Sequence, residues 1–577
     1  RKHLWTGNVR VALFLAILVL GWWIAKTGFP SVYWLGACAG AFVALAIVHR
    51  RILRAKSTAE RAAALYRRGI ARIEDRWAGA GDTGEQFHDP EHVYAGDLDI
   101  FGEGSLFQLL CAARTRMGKE NLANWLTHQG TVDAVLQRHS AVTELAAKLD
   151  LREDLAVAGE SDNINADPAK LRNWAGVNVA FNERLLRPVA MLLAALSVGA
   201  LGWAIVSFAR TGNAFWTPFL LSLIVNGFVV FLLRHKIDRV LGGLDQAYHN
   251  LEAVAAILKR LEQENFAAPH LQRLQQRLMA SGRRASYCIG RLDTLCDLDD
   301  SRHNMVVQLL NVPLLYSVQL ACALQRWRRK YGPSVAGWLD ALGEMEALLC
   351  LGTYSWEHPD DPFPEFAGPD ELPSFAATAI GHPLLPAARC VRNDVAFGGN
   401  TQVLLVSGSN MSGKSTLLRA IGTNTVLALM GAPVRAQRLR LSATAVAASM
   451  RLSDSLQKGV SHFYAEISRI RKVVDLSACG PLLILFDEIL QGTNSHDRRT
   501  GAEGIVKTLL RNGAIGLVTT HDLALTELAE RFPGKVVNVH FQEKLESGRL
   551  SFDYRLREGV VTTSNGVELM KSIGLDV

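Results

Sequence analysis

Apolar residues are distributed along this chain on two scales. Two pairs of long uncharged runs, 11–25 with 31–48 and 188–209 with 214–233, are each joined by a short turn, Lys26–Pro30 and Arg210–Asn213. A spanning helix needs about 20 apolar residues at 1.5 Å rise. The second pair supplies 22 and 20, so it is predicted to form a transmembrane hairpin. Run 11–25 has only 15 uncharged residues and spans only if Lys26 snorkels to the interface and Phe29 continues the apolar face. A cleaved signal peptide is the competing reading of this first run. A second apolar run follows at once with no small-residue cleavage site, so a hairpin is expected there too.

Basic residues set the orientation. Arg1, Lys2, Arg10, Arg50, Arg51, Arg54, Lys56, Arg187, Arg234, Lys236 and Arg239 lie on the outer flanks, whereas the turns carry only Lys26 and Arg210. By the positive-inside rule both hairpins enter and leave on the cytoplasmic side of the inner membrane, with the remainder cytoplasmic. A fifth apolar stretch, Met305–Leu324, contains Gln308, Asn311, Pro313 and Gln319 and is expected to be a buried helix of a soluble region.

Between the hairpins and after the second, the pattern is helical. Leu251–Leu278 repeats apolar residues at spacings of three and four, predicting an amphipathic helix. The proline-rich stretch His358–Glu365 ends this texture and marks a boundary. Beyond it, short apolar runs (Val403–Val406, Leu482–Phe486, Ile515–Val518) alternate with helical segments, which predicts a mostly parallel α/β sheet. The alternating Arg549–Leu556 predicts an antiparallel edge hairpin. The resulting division is a first transmembrane hairpin over 1–56, a helical region over 57–187, a second hairpin over 188–233, a helical lever over 234–365 and an α/β domain over 366–577.

Composition adds limits. Hydrophobic residues make up 49% and charged residues 20% of the 577, which excludes a disordered or collagen-like chain. The 62 Lys+Arg and 55 Asp+Glu must be solvated, which excludes a protein made only of spans. A net charge of +7 does not choose between DNA and an anionic leaflet. Eight cysteines without a C-x-x-C pair suggest neither a disulfide framework nor a zinc site, and read as buried thiols in a reducing compartment.

The chemistry lies in the last third. Gly408–Thr416 fits G-x-x-x-x-G-K-[ST], with a strand before it and a helical run, Leu417–Leu429, after it. Such a loop closes backbone N–H groups around a β-phosphate at a helix N-terminus, and Gly408, Asn410, Gly413, Lys414, Ser415 and Thr416 are its candidate nucleotide contacts. Lys414 would reach the β- and γ-phosphates and Ser415 would hold Mg2+. Downstream, the apolar run 482–486 ends in Asp487 and Glu488. Asp487 is placed to support the metal and Glu488 to orient or deprotonate the attacking water. The run 516–520 ends in His521, a candidate sensor of the γ-phosphate or that water.

The stretches Gly408–Arg419, Asp487–Asp497 and Thr519–His521 closely resemble the ATPase domain of MutS proteins, within the ABC-type P-loop ATPases. Gly381-His382-Pro383 with Asn393-Asp394, Met430–Ala436, and Leu452–Glu466 with Asp454 and Ser461 resemble further family segments in the same order. Gly104–Gly118 through Trp125-Leu126 resembles the opening of the MutS core domain. The resemblance covers about residues 90–150 and 235–577. It implies ATP and Mg2+ as ligands and a homodimer in which Ser461 and Asp497 face the γ-phosphate of the neighbouring subunit, with His382 near the adenine. It also makes DNA a candidate partner. Ser409 stands where the family has proline and His462 where it has threonine. The resemblance does not extend to the family's N-terminal mismatch-reading and connector domains with their Phe-x-Glu wedge, nor to a C-terminal nuclease domain, so it does not carry mismatch recognition itself.

The basic residues Arg283, Arg284, Arg291, Arg326, Arg328, Arg329 and Lys330 lack an aromatic interleave and read first as a solvated helix face, second as a phosphate contact. The expected protein is therefore a membrane-anchored, dimeric MutS-like ATPase with an α-helical lever and two transmembrane hairpins. Its expected activity is Mg-dependent ATP hydrolysis coupled to DNA binding. A DNA-independent membrane-remodelling or signalling ATPase is the alternative. No small-molecule substrate other than ATP is evident, and the spans offer no polar path for a transporter.

Overall fold

The computed structural model describes residues 2–27, 33–158, 167–176, 183–213, 215–280, 282–302, 304–409, 412–450, 462–490, 493–546 and 549–561. The chain forms two compact units, one of residues 1–72 with 150–158 and one of 73–149 with 159–577.

In the first unit, α1 (Lys2–Thr27) and α2 (Tyr33–Ile73) pair through Phe14 and Phe42, whose rings lie 6.1 Å apart. Helix α2 runs through residue 56 without a break, turning from apolar to charged as it goes. Its polar half meets Val157 through Arg61 and Glu153 through Tyr66.

The second unit opens with the short helix α3 (Leu106–Leu110), then α4 (Arg116–Thr127) and α5 (Val132–Ala147). Thr115 and Thr131 cap α4 and α5 by accepting from Gly118 and Ala134 N–H groups. Helix α6 (Leu149–Val157) lies almost wholly in the first unit. There follow α7 (Pro168–Gly176), the hairpin α8 (Glu183–Thr211) and α9 (Thr217–Leu241), then α10 (Leu244–Gln263) and α11 (Pro269–Arg277). A two-stranded ribbon, β1 (Met279–Ala280) with β2 (Arg283–Arg284), leads into α12 (Ala285–Ser301), α13 (Met305–Leu314) and α14 (Tyr316–Glu357).

Two helical expectations need correction. The single amphipathic helix predicted over Leu251–Leu278 is two helices: α10 ends at Gln263, and Pro269, whose fixed φ and missing N–H suit a first turn, opens α11. The buried helix predicted over Met305–Leu324 is broken at Leu315, which takes a left-handed φ of 50° and turns the chain by 82°. The part in α14 is largely buried, whereas no residue of α13 is.

Among the described residues, three helices are long and apolar enough to cross a membrane, within Gly36–Ile73, Arg184–Thr211 and Thr217–Glu252; Val11–Ile24 is shorter. Helix α14, with 42 residues and a length of about 63 Å, is the spine of the second unit. It touches α8, α9 and α12, and also α4 and α5. Close approach is possible because Gly343 lies where a Cβ would stand 2.8 Å from the Met117 carbonyl. At the crossing, buried Glu346 accepts from the Arg114 and Thr115 N–H groups.

After α14 come β3 (Glu365–Phe366), β4 (Ser374–Ile380), β5 (Asn393–Gly398), β6 (Val403–Ser407), α15 (Lys414–Met430), β7 (Arg438–Leu441), β8 (Ala445–Ser449), α16 (His462–Ser477), β9 (Leu482–Asp487), α17 (Ser495–Arg511), β10 (Ile515–Thr520), α18 (Leu528–Arg531), β11 (Val536–Glu546) and β12 (Arg549–Glu558). The main sheet has the order β12-β11-β6-β10-β9-β8, parallel except for β12. A smaller sheet has the order β3-β7-β4-β5. Val403, Leu405, Ile484 and Phe486 pack with Val473 of α16 and Val506 of α17. Leu485, alternating to the other face, meets α15 at Gly422. The edge of β8 is covered, with Ala448 N–H donating to the Val93 carbonyl.

All eight cysteines are free; Cys288, Cys296, Cys322 and Cys350 are buried, but Cys479 is exposed, against the expectation of eight buried thiols. Arg328 also departs from the solvated-face reading. It is buried, with its guanidinium 4.3 Å from the Trp174 ring centre.

Candidate nucleotide-binding site

The parallel register brings the chemistry to one end of the sheet. Thr519 of β10 lies beside Val406 of β6 and Asp487 of β9, so three loops leave the sheet together at its C-terminal edge. The loop from β6 enters α15 through Gly413, whose left-handed φ of 105° is favoured only for glycine. The loop borders a cavity of about 690 Å³ whose other walls include His382, Cys390, Val391, Glu488 and Tyr554.

Lys414 is buried at the base of this loop, its Nζ donating to the carbonyls of Gly408 (2.7 Å) and Ser409 (3.0 Å). Its Nζ is 3.5 Å from Glu488 Oε1. Burial pulls the ammonium below the usual lysine range, opposed by the carboxylates of Glu488 and Asp487. The Ser412 hydroxyl is buried with no hydrogen-bond partner among the described residues. An orphaned donor within a glycine-rich loop fits an anionic oxygen of a ligand.

Thr519, which was not singled out in its own right, holds the two acids in place. Its hydroxyl donates to Asp487 Oδ1 at 2.5 Å and accepts the Glu488 N–H at 3.0 Å. Glu488 adopts a left-handed φ of 54°, a strained conformation for a residue with a Cβ. Its other carboxylate oxygen is 3.3 Å from His521 Nδ1. Lys414, Glu488 and His521 therefore form one chain of polar contacts beside the cavity.

Ser415 and Thr416 are exposed on the first turn of α15 and line the cavity. Mg2+ usually takes one or two protein oxygens and completes its octahedron with phosphates and water. The Ser415 hydroxyl and the Asp487 carboxylate held by Thr519 are the oxygens that would supply such a donor set. Asp497 lies in the first turn of α17, where Asn494 caps it by accepting its N–H at 2.9 Å and donating to its Oδ2 at 2.8 Å. No described contact brings Asp497 to the cavity. Asn410, Asp454 and Ser461 fall outside the described residues.

His382 is buried in the cavity wall, and its Nδ1 accepts the Leu384 N–H at 3.1 Å. Burial pushes the imidazole down to about 4, with Arg419 adding to the shift. The unfolded ring titrates near 6.5. Between these values the unfolded chain takes a proton that the folded one refuses, so stability present above pH ~6.5 is lost as pH falls towards 4. The loss should reach about 3 kcal/mol, at ~1.4 kcal/mol per pH unit. Denaturant titrations from pH 7 to 4.5 should show a shallower acid slope in His382→Gln than in the parent. Equal slopes would remove His382 from the acid response.

The departure at Ser409 has a local partner, since its hydroxyl donates to the buried carboxylate of Glu543 on β11. Asn393 donates to the Tyr554 carbonyl at 3.0 Å and accepts from Leu556 N–H at 2.8 Å, anchoring β12 beside the cavity. Tyr554 packs against the open face of Gly413, where a Cβ would be 3.1 Å from its ring. Buried Asn424 of α15 ties the Gly381 carbonyl (2.9 Å) to the Arg435 N–H (2.6 Å), linking two of the segments that resemble family motifs. A further acid, Asp97, accepts the Met450 N–H at 3.0 Å and pairs with Arg469 of α16, bracketing the segment 451–461. Asp99 pairs with Arg419 of α15 at 3.1 Å.

Residues 404–576 match the family described as MutS domain V. The part of the chain that carries the site is thus similar to the MutS family. The chain is 29% identical over 253 residues to the DNA mismatch repair protein MutS of Bacillus subtilis and 32% identical over 260 residues to that of Brevibacillus brevis. Each match covers 44% of this chain and 29% of the relative. The DNA mismatch repair protein MSH3 of Phaeosphaeria nodorum is 31% identical over 241 residues, covering 40% of this chain and 21% of the relative. The matched part thus spans less than a third of the length of these MutS-family relatives.

Proposed function

We propose that this MutS-like chain is a membrane-anchored ATPase that binds and hydrolyses ATP in the cavity beside α15. The observation that carries this reading is the convergence of Lys414, Asp487, Glu488 and His521 on a loop whose buried Ser412 hydroxyl has no partner among the described residues. The loop amides and Lys414 would bind the phosphates, and His382 with Val391 would border the base. Mg2+, held by Ser415 and Asp487, would neutralise developing charge on the phosphates. Glu488 would take the proton of the attacking water, and His521 would hold the Glu488 carboxylate in orientation. Family resemblance supports a dimer in which Ser461 and Asp497 complete the partner's site.

The hairpins would anchor the chain in the inner membrane with this domain in the cytoplasm, as the flanking Lys and Arg suggest. DNA is the partner that the relatives' names favour. Binding through several phosphates would weaken steeply with salt. Detergent-purified protein titrated with duplex DNA from about 50 to 200 mM salt, with and without a non-hydrolysable ATP analogue, should lose on the order of a hundredfold or more in affinity. Absence of binding at low salt would remove DNA and leave the alternative, a DNA-independent membrane-remodelling or signalling ATPase. A specific observation favours keeping that alternative. Helix α14 packs on the apolar hairpin α8–α9 as well as on α4 and α5, which themselves contact α15.

A further inference from the structure

Helix α13 leaves an apolar face uncovered. Met305, Val306, Leu309 and Leu310 are 78%, 63%, 72% and 44% exposed, and their spacing puts them on one side of the helix. Residues 305–325 contain no Asp, Glu, Lys or Arg. A face of this kind on a water-exposed helix would be an association liability.

The C-terminal turn of α13 sits on the second hairpin. Val312 lies 4.0 Å from where a Cβ on Gly227 would stand, an ordinary packing distance. Asn226, fully buried in the middle of the apolar run of α9, donates to Ser197 Oγ of α8 at 2.9 Å and to the Pro313 carbonyl at 3.3 Å. Asn226 precedes Arg234, the first charged residue of α9, by eight positions, or about 12 Å along the helix. The C-terminal end of α13 is therefore tied to the apolar body of the hairpin, well away from its charged flank.

The break between α13 and α14 satisfies its own polar groups. Asn311 Oδ1 accepts from the Ser317 N–H (3.0 Å) and hydroxyl (2.9 Å), and Gln319 donates to the Leu314 carbonyl at 2.7 Å. Non-helical backbone is tolerated at membrane depth only when its polar groups find partners within the protein. Two of the polar residues that argued for a soluble helix, Asn311 and Gln319, close this turn. The exposed side of α13 also continues the exposed apolar surface of the hairpin, which includes Leu196, Ile224 and Phe228.

We infer that α13 is a third membrane element of the second hairpin, one that enters the bilayer without crossing it. Lipid acyl chains cover Met305, Val306, Leu309 and Leu310. This inference rests on the reading of α8–α9 as a membrane hairpin. It also makes the start of α14 a membrane-held end of the spine.

The test uses the full chain in phosphatidylcholine–phosphatidylglycerol vesicles, with a photoreactive benzoylphenylalanine placed singly at Leu309, Phe228 or Tyr287. Mass spectrometry after illumination should find lipid adducts at Leu309 comparable to those at Phe228, and their loss at Tyr287. Lipid adducts at Phe228 with none at Leu309 would overturn the assignment of α13 alone. So would a crosslink from Leu309 to the first hairpin or to a second copy of the chain. No lipid adduct at either position would overturn the hairpin reading as well. The same probe at Val306 repeats the test should the Leu309 variant not fold.

Discussion

Replacing Glu488 by glutamine should stop ATP turnover while leaving ATP bound. Loss of a general base typically costs 10²–10⁴-fold, so turnover should fall by roughly that factor. Glutamine has the same shape, and the backbone at this position is held through the Glu488 N–H, which Thr519 accepts. The strained φ of 54° should therefore survive the substitution. Binding depends instead on the loop and on Lys414, whose ammonium is held by the Gly408 and Ser409 carbonyls. One indirect effect has a predictable sign. Burial already lowers the Lys414 pKa and the Glu488 carboxylate raises it, so the glutamine variant leaves lysine easier to deprotonate. Any weakening of nucleotide affinity should then grow as pH rises. Equilibrium binding of a fluorescent ATP analogue, run beside steady-state phosphate release, separates the two effects. Hydrolysis at the parent rate would remove Glu488 from the chemistry. Loss of binding at neutral pH would make it a binding residue.

What could be read from the chain follows from how each element meets its surroundings. Strands β6, β9 and β10 are covered on both faces, so they appear as continuous apolar runs, and their predicted positions differ from the observed ones by one or two residues at the C-terminal end. Those ends carry the Gly-rich loop, Asp487 and His521, which explains why these candidate residues could be named together. Periodicity distinguishes apolar from polar positions but not one apolar environment from another. Hence Met305–Leu314 read as a buried helix although its face is exposed. Pro269 is a local signal against one long helix that the regular spacing around it does not register. Contacts between distant positions leave no local trace. Asp97 and Arg469 are 372 residues apart, and the left-handed turn at Tyr554 involves neither glycine nor asparagine. Thr519 was quoted only as part of a motif; its bonding to both acids appears once β10 is set beside β9.

Substituting Gly516 by alanine should produce the largest loss of stability in the α/β domain. Gly516 lies in β10, paired with Val403 of β6 on one side and Ile484 of β9 on the other. Its φ of 153° directs a Cβ to within 1.9 Å of the Ile484 carbonyl oxygen and 2.8 Å of the carbonyl carbon. These are backbone atoms in a central strand, so no rotamer change can relieve the overlap. Either β9 and β10 separate or β10 shifts its register. A cost on the order of 4 kcal/mol is expected, a large share of the ~5–15 kcal/mol that holds a domain together. Gly513 provides the control, since it is also left-handed, at 77°, but has open space around it. Alanine there meets only the conformational penalty, about 1–2 kcal/mol. Denaturant midpoints and protease sensitivity should rank the parent first, Gly513→Ala next and Gly516→Ala far below. Equal stability of the two variants would show that the sheet can accommodate the methyl group. The same displacement would move Thr519 away from Asp487 and Glu488, so nucleotide turnover should fail in any Gly516→Ala molecules that remain folded.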